Sequence, residues 1–447
     1  MKTKFFLFLL LVAAMQMKAN NMLVKNVTTT GNNATNKTIQ VQFDMSWDNS
    51  WRDGINWDAA WVFMKFKDAN GNWQHVMLNT TGFANGTGTA NTIQVGSDKV
   101  GAFVYRSAAG TGTFVSSTMQ LQWNYGLSGL TSVTGLEVRV FAVEMVYVPQ
   151  GEFNIAKGFF VVPSNCCGFF NFNGVFDAPG NNFPVINTRL TPTLSYVITN
   201  QYSNSGITAT STSIRIKGDA GIDTNNDGVV DNTTYPTGYK AFYSFKYEMS
   251  EQQYADFLNT LTATQITTLG VAGSSITLTN VGYFSSTPNK ACGNSNASRL
   301  LAYADWSGLR PMNFLEFNKA SYGPSLPTYT DNFLHGYPAW NSSVRPNNFT
   351  DSSSPLQDVG YSASNESTRE QAGASYYGLM DLTGNANEPV VKVNNFTFDG
   401  KNGNGVLLST GNSDVSNWNT TSIIYVDQVR NQWGSAKFGF RYVRSAE

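Results

Sequence analysis

The feature that most restricts the fold is a strict alternation of apolar and polar residues that begins at position 39. Every second residue from Ile39 to Trp47 is apolar, and the four residues between them are polar: Gln40, Gln42, Asp44 and Ser46. Successive side chains of a β-strand point to opposite faces of the sheet, so a period of two is typical of a strand with one buried face. The segment therefore predicts a half-buried strand.

Further strands of this kind follow along the chain. Trp61–Lys67 is apolar-rich, Trp73–Met77 alternates again, and Met119–Tyr125 repeats the pattern of apolar residues at every second position. Leu136–Val143 adds one more candidate strand. Several short strands at this spacing predict an immunoglobulin-like or fibronectin-like β-sandwich, which we assign to residues 20–143.

Tryptophan is concentrated in this first domain. Five of the ten tryptophans fall between Trp47 and Trp73. Exposed aromatic rings can stack on sugars, so the cluster is compatible with glycan binding. We favour the alternative that these side chains fill the core and cover one end of the sandwich, because a tryptophan buries a large apolar area.

The N-terminus has the features of a secretory signal peptide. Lys2 and Lys4 precede the apolar run Phe5–Met17, and Ala19 supplies a small residue before a cleavage point. The run is short for a membrane span, and we expect no span after cleavage of residues 1–19. The expected location is the exterior or the cell envelope of a bacterium.

Composition argues against a polyanionic partner. Only 13% of the 447 residues are charged, and the net charge is −1. Such a surface attracts neither nucleic acid nor an anionic membrane strongly, so we expect no nucleic-acid binding.

The second part of the chain, residues 144–447, combines a few helices with long loops and predicts an α+β domain. Ser250–Gln253 is a capping box that starts a helix. Ala297–Trp306 predicts a second helix that stops before Gly308, and Phe314–Ala320 predicts a third. The first helix presents one apolar face, made of Tyr254, Phe257, Leu258 and Leu261. The fold class is thus mainly β with an α+β second domain.

Five short segments carry the most specific signal in this domain. The glycine-punctuated run Tyr-Tyr-Gly-Leu-Met-Asp-Leu-Thr-Gly-Asn-Ala-Asn-Glu at 376–388 requires sharp turns that place carboxylate and amide oxygens side by side. The other four are Met145–Phe153, Phe245–Tyr254, Ala302–Pro311 and Phe438–Arg444. In the order in which they occur along the chain, the five segments resemble the formylglycine-generating enzyme (sulfatase-modifying factor) family. The resemblance implies a C-type-lectin-like fold for residues 144–447.

Two places resemble calcium loops. Asp223, Asn225 and Asp227 put oxygens at positions one, three and five of a loop, and Asp231 stands at position nine. Position twelve is Thr234 instead of the usual glutamate, so an Asx-rich turn without an ion explains the residues equally simply.

The second place is set by the resemblance. Asn385 and Glu388 match a Gly-Asn-x-x-Glu pattern that supplies calcium ligands in that family. A structural calcium there and a turn held only by internal hydrogen bonds are both open at this stage.

The residues for redox chemistry do not stand at matching positions. Active members of the family hold copper with two cysteines near the C-terminus, but the last cysteine here is Cys292, and the others are Cys166 and Cys167. We therefore do not expect copper. The only histidines, His75 and His335, fall in different predicted domains, so neither a histidine-rich iron site nor a serine triad is available. Cys292 could instead pair with Cys166 or Cys167 in a disulfide.

Three functions compete. We favour a secreted, non-catalytic binding or structural protein that contacts a cell-surface protein or a glycan. One alternative is a formylglycine-generating oxidase acting on exported substrates. The other is a ligand-display protein with a variable C-terminal region, for which Ser416–Thr421 and Asn431–Trp433 are compatible segments.

Overall fold

The computed structural model describes residues 21–155, 196–198, 207–209, 234–324, 329–330, 333–334, 355–361, 363, 372–382, 385–391, 397–426 and 438–447. Over these residues the protein is mainly β, and all of its strand ladders are antiparallel.

The first described range is built from strands. They are β1 (Leu23–Asn33), β2 (Thr38–Arg52), β3 (Asp58–Lys67), β4 (Trp73–His75), β5 (Thr87–Gly88), β6 (Asn91–Val95), β7 (Ala102–Arg106), β8 (Gly110–Asn124), β9 (Val138–Val148) and β10 (Phe153–Ile155). The alternation predicted in β2 is confirmed, because its apolar side chains from Ile39 to Trp47 are buried and the polar ones between them are half-buried.

The later described ranges add short strands and four helices. The strands are β11 (Tyr196–Ile198), β12 (Ile207–Ala209), β13 (Phe242–Phe245), β14 (Ile276–Thr279), β15 (Gly282–Ser285), β16 (Arg310–Pro311), β17 (Tyr329–Thr330), β18 (Phe333–Leu334), β19 (Glu388–Val391), β20 (Ile423–Val426) and β21 (Tyr442–Ser445). The helices are α1 (Glu251–Leu258), α2 (Ala263–Leu269), α3 (Ala297–Trp306) and α4 (Phe314–Tyr322), and a 3-10 turn spans Thr420–Ser422.

Two large sheets organise the described residues. One has the order β1-β2-β8-β5, and the other has the order β16-β21-β13-β9-β3-β7-β6 with β4 attached to β3. The strands β10, β11 and β12 form a small sheet, and β14–β15, β17–β18 and β19–β20 are two-stranded. The larger sheet thus contains strands from both predicted domains.

The strand β9 connects the two parts of the larger sheet. Its residues Val138–Val146 pair with β3, and its residues Met145–Val148 pair with β13. The predicted domain boundary between residues 143 and 144 falls inside this strand. The division into two domains stays a prediction, and in the structure the two parts share a sheet.

Three apolar clusters cover the larger sheet. The first lies against the four-stranded sheet and unites β2 and β8 with one face of β3. The second lies on the opposite face, where Trp61 and Phe63 of β3 pack with side chains of α1 and α3. The third packs α4 against the face formed by β9, β13 and β21. The second cluster contains residues of both predicted domains, so one core spans the boundary.

The helix predictions hold with small changes. Ser250 caps α1 through the predicted capping box, but this helix ends at Leu258, so Leu261 lies beyond it. The helix α3 has the predicted bounds, and α4 continues two residues past Ala320. At the end of α3, Gly308 has a φ of +70°, which favours glycine, and a Cβ there would collide with Val100.

Two strand predictions need correction. The strand β4 ends at His75 and does not reach Met77. The N–H of Val76 still bonds Met64 of β3, but the N–H of Leu78 bonds Lys99 instead. The strand β9 begins at Val138, two residues later than predicted, and runs on to Val148 because β13 continues the pairing that β3 begins.

Candidate functional site

Two of the five motif segments lie against each other just before the start of β21. The backbone N–H of Gly439 donates to the carbonyl of Asn387 at 3.0 Å. A Cβ at position 439 would lie 2.8 Å from the Cβ of Ala386, so only glycine permits this close approach. The approach brings Arg441 onto Glu388, where the two side chains form an ion pair at 3.0 Å.

The guanidinium of Arg441 is fully buried and bonds to several segments at once. It donates to Glu388 from two nitrogens, at 3.0 and 3.2 Å. It also donates to the backbone carbonyls of Phe245 at 2.9 Å and Met380 at 2.8 Å. A buried arginine is stable only when its charge is paired and its N–H groups are bonded. These contacts satisfy that condition and tie three of the five motif segments together.

A second carboxylate, Glu248, lies beside this ion pair. Its Oε1 accepts from the backbone N–H of Ala386 at 2.8 Å, and its Oε2 accepts from the amide of Asn385. Burial raises the pKa of Glu248 well above its usual range, and the nearby carboxylates of Asp381 and Glu388 raise it further. The site therefore shifts Glu248 toward its protonated form, although Arg441 and the N–H of Ala386 oppose the shift.

The predicted calcium ligands in this turn bond to protein donors. The side-chain oxygen of Asn385 accepts from the backbone N–H of Gln357 at 2.8 Å, while Glu388 accepts from Arg441. Asn385 also has a φ of +58°, a conformation that asparagine tolerates better than most residues. In the part of the chain that is described, no three His, Cys, Asp or Glu side chains group as a metal site. Calcium at this turn remains a prediction.

Other predicted residues lie outside the described part of the chain. These are the calcium-like loop residues Asp223, Asn225, Asp227 and Asp231, the cysteines Cys166 and Cys167, His335, the display segment Asn431–Trp433, and the signal peptide at 1–19.

Cys292 is a free thiol in the apolar cluster that α1 and α3 build on the sheet. Burial raises its pKa well above the usual value, and the charge of Glu251 acts in the same direction. The thiolate is the form that attacks electrophiles and binds soft metals, so this environment suppresses both reactions.

His75 is also a buried structural residue. Its Nε2 lies 2.7 Å from the carbonyl of Val100, and burial holds its pKa well below the usual value. The charge of Lys65 acts in the same direction. The amine of Lys65 donates to the carbonyls of Trp306 at 2.7 Å and Gly405 at 2.6 Å. Lys65 therefore connects β3 to the second part of the chain.

The tryptophan cluster is largely internal. Trp47 and Trp61 are buried, and the other three of the five are half-buried. The ring of Trp57 stacks on Tyr147 at 4.1 Å between centroids, and the guanidinium of Arg52 lies 4.4 Å from its centroid. These contacts agree with a core-filling role, and glycan binding by the cluster is not tested by them.

An exposed loop is anchored by Asp305 of α3. Its carboxylate accepts from the N–H groups of Asn404 and Asp414 and from the hydroxyl of Ser413, at 2.9–3.0 Å. Burial raises the pKa of Asp305 to about 6, against the lowering effect of these bonds. Beyond this anchor, most side chains of Ser416–Thr421 are exposed. An anchored loop with exposed polar side chains is a common setting for binding residues.

Sequence reasoning missed one buried group of charges. Asp58 begins β3, Glu144 lies in β9, and Lys246 follows β13. The Nζ of Lys246 is 2.6 Å from Glu144 Oε1 and 3.6 Å from Asp58 Oδ2. The available signal was a charged residue within an apolar stretch, as in Val143-Glu144-Met145 and Phe245-Lys246-Tyr247.

No family model matches the sequence, and no curated protein matches it significantly. The longest helix in the described ranges has ten residues, and no helix there meets the length and hydropathy needed to cross a membrane.

Proposed function

We propose that the chain is an exported, non-catalytic binding or structural protein of the bacterial surface, in which a β-sandwich precedes a sulfatase-modifying-factor-like domain with a C-type-lectin-like fold. The observation that carries this proposal is that the polar residues of the motif segments are engaged in bonds within the protein. Arg441, Glu388 and Asn385 all bond to backbone or side-chain groups of neighbouring segments. Residues bonded in this way stabilise a scaffold.

The environment of Cys292 supports the absence of oxidase chemistry. A thiol inside an apolar cluster, with its pKa raised, is a poor ligand for a soft metal and a poor nucleophile. A copper assay tests this point directly. We expect the purified protein, incubated with copper and a cysteine-containing peptide under oxygen, to leave the peptide unoxidised. Turnover that disappears in Cys292→Ser would contradict the proposal.

The binding surface that we propose is Ser416–Thr421, because Asp305 anchors the preceding loop and the segment is exposed. Trp418, in the middle of the segment, packs against the apolar clusters and fixes its position. A rigid backbone beneath exposed polar side chains lowers the entropy that is lost on binding. This surface is also the one that a ligand-display protein would vary.

The test uses cell-surface extracts and a glycan array with matched variants. Ser416→Arg and Thr420→Arg each place a bulky cation on the proposed surface, and Thr277→Arg places one at an exposed position of β14. We expect the first two to weaken binding of any partner captured by the wild type and the third to leave it unchanged. Equal binding by all three variants would exclude this surface.

We also propose that a structural calcium binds at the turn containing Asn385 and Glu388, at the Asp223–Asp231 loop, or at both. Binding to the native state alone would raise the melting temperature. The prediction is a lower melting temperature in EDTA than in calcium buffer. An unchanged melting temperature would rule calcium out at both places.

A further inference from the structure

A lysine and two carboxylic residues meet in a dry part of the shared sheet. The side chains of Lys246, Asp58 and Glu144 are 5%, 0% and 2% exposed. The Lys246 Nζ lies 2.6 Å from Glu144 Oε1 and 3.6 Å from Asp58 Oδ2. The amine is shielded from water and lies 3.6 Å from an oxygen of Asp58, close to the separation from which a nucleophile can approach a carboxyl group.

The two acids have different surroundings. Asp58 accepts three hydrogen bonds, from the indole of Trp47 at 3.0 Å, the hydroxyl of Ser50 at 3.1 Å and the N–H of Trp51 at 2.9 Å. Glu144 Oε2 is buried and accepts no hydrogen bond from the described residues. Burial raises the pKa of Glu144 to about 8, although Lys246 opposes the shift. Burial lowers the pKa of Lys246, but the charges of Glu144 and Asp58 help to raise it overall, so both Glu144 and Lys246 are groups that can hold a proton. The group thus contains one acid with three donors, one acid whose Oε2 has none among the described residues, and one amine.

We propose that Lys246 and Asp58 join through an intramolecular amide bond, formed without any other enzyme, and that Glu144 transfers the protons. The arrangement supplies each part that this condensation requires. Lys246 is the nucleophile and Asp58 the electrophile. The donors Trp47, Ser50 and Trp51 fix the carboxyl group and stabilise the charge that develops on its oxygen.

The reaction balances without an oxidant, a reductant or a co-reactant. A proton moves from the ammonium to the Asp58 carboxylate, which leaves a neutral amine beside a carboxylic acid and keeps the total charge unchanged. The Nζ lone pair then bonds to Asp58 Cγ, while Glu144 protonates the carbonyl oxygen and takes a proton from the nitrogen. Glu144 next protonates one hydroxyl, which leaves as water as the Cγ–O bond breaks. The other hydroxyl returns its proton to Glu144 as the carbonyl re-forms.

The products are one amide and one water molecule, and Glu144 ends in its starting form. The bond would connect the beginning of β3 to the chain just after β13. A permanent link between positions so far apart in sequence restricts the unfolded chain, in the way that a disulfide does. The cysteines are not needed for this link.

The intact mass of the purified protein, with its N-terminus identified, tests the proposal. We expect a mass lower than that of the sequence by one water molecule. Trypsin should fail to cut after Lys246, and tandem mass spectrometry should show one branched peptide that contains both Asp58 and Lys246. A full mass, or a water loss that maps to any other residues, would overturn the proposal.

Two variants assign the proton-transfer role. Glu144→Gln keeps the size of the side chain but cannot shuttle a proton, so it should have its full mass and be cut after Lys246. Glu316→Gln changes a carboxylate in a different buried ion pair, with Arg310, and should retain the water loss. Retention of the water loss in Glu144→Gln would remove Glu144 from the mechanism. The mass of the wild-type protein shows whether the amide bond has formed, even if a variant does not fold.

Discussion

Two parts of the larger sheet, the part covered by β2 and β8 and the part that contains β21 and packs against α4, are stabilised differently. Between β2, β8 and β3, the buried cluster is made of apolar side chains, among them Phe43, Leu121 and Trp123. Around β21 and α4, buried charged side chains bond to backbone carbonyls as well as to each other. Arg441 bonds in this way to Phe245 and Met380.

Lys319 is a second example from the α4 side. Its amine donates to the carbonyls of Pro149 at 2.6 Å, Gly238 at 2.8 Å and Tyr239 at 3.2 Å. The comparison teaches that regular strands satisfy their own backbone groups, so apolar side chains suffice to cover them. Irregular loops leave carbonyls unpaired, and the buried N–H groups of arginine and lysine then bond to those carbonyls.

The largest expected effect is on the ion pair beneath β21. Arg441→Met keeps much of the volume but removes the cation that pairs with Glu388 and the donor that Arg441 supplies to two carbonyls. We expect a loss of about 3–5 kcal/mol in the free energy of unfolding, measured in urea, because an unpaired buried charge is costly. The double variant Arg441→Met/Glu388→Met removes both charges and should recover part of the loss. If Arg441→Met were as stable as the wild type, the two regions would not be stabilised in different ways.

The next effect is on the pH dependence of stability. Burial lowers the pKa of Lys319 from 10.5 to about 7, so the folded state binds fewer protons than the unfolded state between these values. The contribution of Lys319 to stability therefore rises with pH across this window, by about 1.4 kcal/mol per pH unit at most. Lys319→Met should lack this slope. The measurement is the free energy of unfolding of the wild type and of the variant from pH 7 to 10, and the difference between them should change with pH. Parallel curves would contradict the expected effect.

A smaller effect is expected between the two sheets. Leu121→Met conserves volume in an apolar cluster and breaks no hydrogen bond, so it should cost less than about 1.5 kcal/mol in urea unfolding. This change is the matched partner of Arg441→Met, since both introduce methionine at a fully buried position. Equal losses in the two variants would remove the contrast between the regions.

The smallest effect belongs to an exposed ion pair. Arg139 lies 3.0 Å from Glu137, and both side chains are more than 40% exposed. Because solvent screens such a pair, we expect Arg139→Ala to change the free energy of unfolding by less than about 1 kcal/mol. The guanidinium of Arg139 lies 4.4 Å from the ring centroid of Trp73, so a change in tryptophan fluorescence is a useful second readout. A loss as large as that of Arg441→Met would show that burial is not the deciding variable.

The same contrast explains which elements could be predicted from sequence. The strand β2 was predictable because a single local pattern, from Ile39 to Trp47, determines which face is buried. The helix α2 was missed because only Leu269 among its residues is buried, which leaves no apolar period to detect. Its capping box, Thr262 with Gln265, was the one local signal that was present.

The candidate site was predictable only in part. The segments that contain Asn385, Glu388 and Arg441 could be recognised, but the pairing of Glu388 with Arg441 depends on how distant segments meet. The group formed by Asp58, Glu144 and Lys246 gives only single charged residues in apolar stretches as a local signal, because its members come from three strands or strand ends that are far apart in sequence. Long-range polar contacts of this kind become visible only in the folded chain.

Hydrogen exchange of Arg441→Met, read by mass spectrometry, tests the central claim most directly. If the buried guanidinium stabilises the loops around it, peptides that cover residues 372–391 should exchange faster than in the wild type, while peptides that cover residues 38–47 should keep their protection. Equal loss of protection in both peptides, or no loss in either, would contradict the claim that the two regions are stabilised differently.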